Sequence, residues 1–400
     1  MKRNNIFLFS IMFLLLCETF SAAAETRARF LFIGDIMTHQ QQLDAAIYKG
    51  KDKTLKGTYD FSPQFRRVKK LLEDSFLVGN LETTFSGTGK KLKYSGYPLF
   101  NTPDSLIDVL SDDLKIDLLT LANNHIFDRG AGGARRTVEA LNSADIKWVG
   151  LGIDDVVSND AILLENEGIK AAFINHSYGS NLWPKSNDIH LNVISEKDLK
   201  ISLERAKKLS PDIIIACFHW GNEYQLKPNI HQKKAAEISF NNGADLIIGT
   251  HPHVLQPVEI KIASNDIKNI KVVAWSLGNF VSFQRTLPRE RNCILAVEVV
   301  KDDEGFTRIS KVSTAPLYVI APGQKRTEVT YAGNDEKVLA SMDLDFEGLS
   351  KTQITKLHNI GKNVLDFLGT QDEIDEYGFY TLWNETSPDI LPKSRRKSPK

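Results

Sequence analysis

The chain has 400 residues, 42% of them apolar and 25% charged, which is ordinary globular composition and enough for one large domain or two smaller ones. Lys+Arg and Asp+Glu both number 50, so no net field marks nucleic acid as a partner. No run after the first residues is long and apolar enough to span a bilayer.

Lys2 and Arg3 precede an apolar stretch, Ile6–Leu16, and small residues Ser21–Ala24. That order reads as a secretory signal over residues 1–24, cleaved after Ala24, with an exported, periplasmic or extracellular product. A lipid anchor would use Cys17, but three leucines stand where a small residue is expected. The other two cysteines, Cys217 and Cys293, lie in apolar β-type runs and read as buried thiols, although one disulfide is open to them in an oxidising compartment.

From Arg29 the pattern alternates between strand and helix. Phe30–Ile33 ends at Gly34-Asp35, and Phe76–Val78 ends at Gly79-Asn80-Leu81-Glu82. Val68–Leu72 and Asp104–Leu110 read as helices, with Thr83–Tyr97 as a long exposed loop between them. Asp117–Ala122 is a strand ending at Asn123-Asn124-His125, followed by a helix at Ala134–Ser143 and a strand at Trp148-Val149. Ala161–Leu164 and Ala171–Ile174 flank Glu167-Gly168 as a hairpin. Glu196–Leu209 and Gln232–Phe240 are helices, while Ile213–Phe218, Leu246–Ile248 and Val272–Trp275 are strands. Cys293–Val300 and Val312–Ile320 read as late antiparallel strands. Strand–helix alternation predicts an α/β domain over residues 25–322 with its sheet covered by helices. The C-terminal extension, 323–400, has a helical stripe at Ile354, Leu357, Ile360, Val364 and Phe367, and ends in a basic tail, Lys393–Lys400, that reads as disordered.

Five strands end in polar clusters: Asp35, Asn80 with Glu82, Asn124 with His125, His219, and the His251/His253 pair. Ligands of open α/β sheets bind beyond the carboxyl ends of the strands, so these ends predict one convergent site. Carboxylate, amide and imidazole together suit Mn, Fe or Zn, and this many ligands has room for two ions about 3.5–4 Å apart. Taken singly, each residue also has an ordinary reading as a helix cap, a turn or a core histidine. Asn279, in Ser276–Phe280, is placed to hydrogen-bond a ligand or simply to make a turn. His39, His176, His190, His231 and His358 read as ordinary polar residues.

The segments Gly34–Met37, Asn80–Glu82, Ala122–Gly130, His219–Tyr224, Gly249–Gln256 and Ser276–Phe280 resemble, in order and spacing, the CapA family of poly-γ-glutamate capsule biosynthesis. The resemblance implies a branch of the calcineurin-like metallophosphoesterases, a four-layer α/β/β/α sandwich with mixed sheets, and one or two divalent ions. It makes Asp35, Asn80, Glu82, Asn124, His219, His251 and His253 the metal ligands, with Asn80 or Glu82 in the bridging position. It makes His125, with Asn124, the catalytic pair. Met37 stands where the phosphoesterases have a histidine, and Asn80 where they have the bridging aspartate. Trp220, Glu223 and Tyr224 would contact a substrate chain or pack in the core. The implied function is a metal-dependent hydrolase or transferase of capsule synthesis. It would act on an anionic envelope polymer or its precursor, beside membrane-bound synthesis proteins. The alternative is a non-catalytic accessory that binds the polymer during assembly or export.

Overall fold

Alternation along the first strand, β1 (Thr26–Ile36), sets the frame: Phe30 and Phe32 point to one side, Leu31 and Ile33 to the other, and all four are buried. A strand buried on both faces needs a continuous apolar run, which explains why this one lacks the polar alternation of a surface strand. The computed structural model describes residues 25–386, apart from 48–56, 90–91, 155–156, 159, 187, 263–268, 322–326, 342–345 and 372. The signal segment with Cys17 and the basic tail at Lys393–Lys400 therefore lie outside the described residues.

β2 (Phe76–Leu81), β3 (Leu118–Thr120) and β4 (Lys147–Val149) continue from β1 in parallel. Next come β5 (Leu151–Ile153) and β6 (Val157–Ser158), then β7 (Ile162–Asn166), β8 (Ile169–Ser177) and β9 (Ile189–Leu191). β7 and β8 form the expected hairpin, with Glu167 and Gly168 both at positive φ in the turn. β5, β6 and β9 make a small three-stranded sheet that the sequence pattern did not reveal.

The second large sheet adds β10 (Ile213–His219), β11 (Leu246–Thr250), β12 (Val258–Ile262) and β13 (Ile270–Ala274), in the order β12-β13-β11-β10-β8-β7. β14 (Asn279–Val281) pairs with the end of β1. β15 (Asn292–Lys301), β16 (Thr307–Ile320), β17 (Glu328–Tyr331) and β18 (Tyr380–Asn384) complete the first sheet, which reads β17-β16-β15-β1-β2-β3-β4 with β18 on β16.

The two large sheets face each other. Phe30, Phe32, Phe173, Ile215, Ile248 and Leu295 fill the layer between them. On β10 the alternate residues Ile214, Ala216 and Phe218 point outward, onto Leu199 and Leu203 of the helix Glu196–Lys208 and Ala235 and Ala236 of the helix Ile230–Asn241. On the other side, Leu31, Leu77 and Leu119 pack against Val138 and Leu141 of the helix Gly130–Ser143. The architecture is a four-layer α/β/β/α sandwich with mixed sheets. Cys217 and Cys293 are buried and free, and burial pushes both thiols up to about 12.

Residues beyond the expected boundary at Pro322 join the same layers. β17 and β18 extend the first sheet, and Leu382 and Trp383 enter the core between the sheets. The helix Lys351–Leu368, started by a Ser350/Gln353 capping box, buries Leu357, Ile360, Val364 and Leu368. Gly361 lets it lie on the chain at Ala332, since a Cβ there would stand 1.8 Å from the Ala332 carbonyl oxygen. Among the described residues no helix is long and apolar enough to cross a membrane.

Candidate metal centre

Register brings the polar strand ends together. β1 and β2 run parallel with Asp35 opposite Asn80, and two residues further Glu82 donates its backbone N–H to the Ile36 carbonyl at 3.0 Å. Gly34 is needed here: a Cβ would lie 1.9 Å from the Gly278 carbonyl, the oxygen that accepts the Asp35 backbone N–H at 3.0 Å. From the second sheet, β10 ends at His219 and is paired with Thr250 at the end of β11. The facing sheets therefore deliver Asp35, Asn80 and Glu82 from one side and His219, His251 and His253 from the other. All six are buried.

His251 and His253 follow β11 in left-handed backbone, with φ of 92° and 54°. Such φ values in residues with a Cβ cost about 1–3 kcal/mol each and persist only where the surroundings hold them. Here the constraint aims both imidazoles inward. The His251 backbone N–H reaches Asp35 Oδ2 at 3.3 Å, while its ring Nδ1 is buried with no hydrogen-bond partner. His253 Nδ1 lies 3.2 Å from Asp35 Oδ2 and 3.0 Å from Asn279 Oδ1. Both neighbours accept, so Nδ1 carries the proton and Nε2 turns its lone pair toward Glu82 Oε1, 3.8 Å away.

His219 Nε2 sits 2.8 Å from Asn124 Oδ1 and 3.6 Å from Glu82 Oε1. Glu82 is fully buried, and no amide, hydroxyl or backbone N–H reaches either carboxylate oxygen; its one side-chain hydrogen-bond partner is the Asp35 carboxyl, a bond that forms only when one of the two is protonated. Burial first, then the neighbouring Asp35 carboxylate, push its pKa well up. Burial first, then neighbouring histidines, push His219 and His251 well down. Both directions favour the uncharged groups, so neutral imidazoles present lone pairs, and a carboxyl that a bound cation would ionise, in one buried space.

Two sets of ligand atoms lie within 4.8 Å of one another, Glu82 with His251 and His253, and Asp35 with Glu82 and His219. Glu82 belongs to both. Two buried carboxyls side by side, the unpartnered His251 nitrogen and the oxygen–imidazole donor set all fit a divalent cation. Asn80, expected as a ligand, makes two contacts here that hold Asp35. Its amide nitrogen donates to Asp35 Oδ1 at 2.7 Å and its oxygen accepts from the Thr120 hydroxyl at 3.2 Å, so it braces Asp35. This amide orientation is assigned from the hydrogen-bond network.

His125 stands outside both sets. Its Nδ1 lies 2.8 Å from Asp128 Oδ2, which also accepts the Phe100 backbone N–H at 2.7 Å. Its Nε2 faces Asn181 Nδ2 at 3.5 Å. Asn279 is 1% exposed and holds His253. Trp220 is 1% exposed, stacks on Phe218 at 4.5 Å between centroids and donates to the Trp275 carbonyl, so it packs between sheet and helix. Glu223 and Tyr224 are exposed at the rim, with the Tyr224 ring 6.2 Å from His253.

Sequence reasoning missed four neighbours. Asp128 falls within the Ala122–Gly130 motif but has no role assigned there, although its place three residues after His125 in one tight turn is a usable signal. Tyr178 lies 4.6 Å from the His251 ring and hydrogen-bonds the Asn124 side chain, and burial pushes its phenol up to about 12. Asn181 donates its backbone N–H to the Asn124 carbonyl at 2.9 Å. His39, read as ordinary, accepts the Phe283 N–H at 3.3 Å and is pushed down to about 4 by burial, then by His253 and His125. Nothing in their local sequence marks the last three.

The family described as bacterial capsule synthesis protein PGA_cap matches residues 29–284, a span that contains every residue of this cluster. The chain belongs to that family. Among curated relatives, the capsule biosynthesis protein CapA of Bacillus anthracis is 31% identical over 193 residues, 46% of this chain and 44% of that protein. The PGA biosynthesis protein CapA of Bacillus subtilis is 29% identical over 305 residues, 75% of this chain and 70% of its own. A probable polyglutamine synthesis accessory protein of Mycobacterium tuberculosis is 25% identical over 196 residues, 45% of this chain and 50% of that protein. The chain thus spans less than half of the first of these relatives and about two thirds of the second. A solved 5′-nucleotidase from Candida albicans aligns with 87% of this chain and 58% of its own at 13% identity, with a TM-score of 0.42, too weak a likeness to carry argument.

Proposed function

We propose that this PGA_cap protein is an exported, metal-dependent hydrolase or transferase acting on an anionic envelope polymer, or its precursor, in capsule or polyglutamate synthesis. The observation that carries the reading is Glu82: a fully buried carboxyl that meets no amide, hydroxyl or backbone donor, only a second carboxyl at Asp35 and imidazoles, and that is shared by two ligand sets. Structure is rarely stabilised by an arrangement of this kind, and functional centres often contain one.

Asp35, Glu82, His219, His251 and His253 would hold the ion or ions, with Asn124 beside His219. Bound there, a divalent cation supplies Lewis-acid polarisation of the scissile group and activation of the attacking water. The remaining work falls to the chain. Asn80 and Asn279 fix Asp35 and His253, so the donors are pre-set before substrate arrives. Asp128 accepts the His125 Nδ1–H and would stabilise the imidazolium, whose Nε2–H is then the proton passed to the leaving group while Nδ1 keeps its own. Tyr178 and Asn181 close the side of the site nearest Asn124 and His125.

The second reading, a polymer-binding accessory without turnover, is favoured by one observation. Asn80 occupies the Asp35 oxygen where the phosphoesterase pattern has a charged bridge. One experiment separates the two. Metal content of the purified protein is measured, and phosphate esters and γ-glutamyl peptides are screened, for the parent, His251→Ala and Asp128→Asn. The hydrolase reading expects metal loss in His251→Ala, and retained metal with turnover lowered about 10²–10⁴-fold in Asp128→Asn. Bound metal with no turnover on any substrate moves the assignment to the accessory; a metal-free parent that behaves like His251→Ala overturns the metal centre itself.

A further inference from the structure

Fourteen large apolar side chains are exposed among the described residues, and nine of them fall on four segments around the mouth of the cluster. Each segment is anchored to the site. The first is Leu92–Leu99, where Gly96 packs on the His39–Gln40 backbone. In it the Tyr97 ring, 72% exposed, lies 6.4 Å from Phe100, which stands edge-on to His125. The second, Tyr178–Trp183, is tied to Asn124 through Asn181, and ends in a 59% exposed Trp183, 6.3 Å from the Phe127 ring. In the third, the Tyr224 N–H donates at 2.7 Å to the carbonyl of Pro252, between the two histidines, and Leu226 is exposed beyond it. The fourth carries Leu287, 61% exposed, and Arg289, whose guanidinium lies 4.9 Å over the Tyr224 ring.

Charge on these stretches is lopsided. Lys93, Lys185, Lys227, Arg285 and Arg289 stand on or directly beside the four segments, against the exposed acid Glu223. Tyrosine, tryptophan and leucine beside lysine and arginine is the composition of a surface that sits at a membrane–water boundary. A protein-docking patch would differ in two ways: its apolar core would be continuous, and lysine would be depleted. Here the apolar groups lie on four separate segments around the polar cluster, with lysine in or directly beside three of them.

We propose that this rim docks on the surface of an anionic bilayer and sets the mouth of the site against the headgroup layer. The substrate class this orientation selects is a chain carried at the membrane, presented to the cluster from the lipid side. The inference goes beyond the hydrolase reading and does not require it, because a protein stripped of metal keeps the same rim.

The chain carries its own reporter. Of its five tryptophans, Trp148, Trp220, Trp275 and Trp383 are at most 8% exposed, and Trp183 is on the rim. The full chain is titrated with vesicles of phosphatidylcholine and phosphatidylglycerol, about one lipid in three anionic, and with phosphatidylcholine alone. With the anionic vesicles, Trp183 emission should shift to the blue and be quenched by brominated lipid. Trp183→Phe should remove the signal while co-sedimentation persists. Lys185→Gln and Lys227→Gln should each weaken partitioning about fivefold, with the fold intact by circular dichroism. Failure to bind anionic vesicles overturns the proposal. So does binding that leaves Trp183 unshifted and unquenched, which would place the contact on another segment, such as residues 1–24.

Discussion

At Glu82, function and stability pull in opposite directions. Its carboxyl group is fully buried, set against a second carboxyl at Asp35 and pushed well up by burial and by Asp35, so in metal-free protein it is a cost to the fold. Glu82→Met keeps about the same volume and removes the buried polar atoms. In the presence of chelator this variant should be more stable than the parent by about 1–3 kcal/mol, measured by urea unfolding, and should bind no metal. A less stable variant would mean that the contact with Asp35 stabilises the fold. The residues with a sequence signal were those next to a strand end. His251 and His253 stand out because two imidazoles around a proline directly after Leu246–Thr250 have little ordinary explanation. Asn80 was visible as a position but not as a role, because whether an asparagine binds a cation or braces its neighbour depends on which amide end faces Asp35. Tyr178, Asn181 and His39 reach the site only through tertiary folding, and no local spacing encodes that.

At the scale of elements, the site depends on ties between the two sheets. Asn175, on β8 in the second sheet, is 1% exposed; its side-chain oxygen accepts the Ala122 N–H at 2.7 Å and its amide donates to the Cys217 carbonyl at 3.2 Å. It fixes the segment carrying Asn123, Asn124 and His125 from across the sandwich. Asn175→Ala should cost about 1–3 kcal/mol, since it leaves a buried backbone N–H unsatisfied. It should also lower turnover more than metal content, because His125 is displaced while the ligand set is not; equal losses in the two would argue against this division. Most of the elements were legible because long apolar runs broke at Gly, Asp, Asn or His. The helix after Pro103 was read as Asp104–Leu110, but it is a short turn at Ser105–Asp108 passing into a π turn at Val109–Asp113. The small sheet of β5, β6 and β9 escaped because its strands have two or three residues, too few to show a period.

For the whole molecule, the strand–helix alternation predicted covered sheets, but the partition into two facing sheets came from the family resemblance. Strand order is a long-range property that local pattern does not carry. The C-terminal region could equally have stood apart on sequence grounds; its stripe shows a buried face but not what covers it. Because β18 and the helix Lys351–Leu368 put Leu382, Trp383, Val364 and Leu368 into the central core, a chain cut at Pro322 loses part of that core and bares the β16 edge. Such a truncation should aggregate or unfold without a cooperative transition in differential scanning calorimetry. A soluble fragment melting at the parent temperature would show that the extension is dispensable. At the same scale, the convergence of both sheets on Glu82 is tested most directly by anomalous X-ray diffraction from crystals grown with Mn²⁺. One or two anomalous peaks should appear in contact with Glu82, with ligands among Asp35, His219, His251 and His253. Crystals with no peak there, and Glu82 still buried against Asp35, would contradict a metal centre at this point.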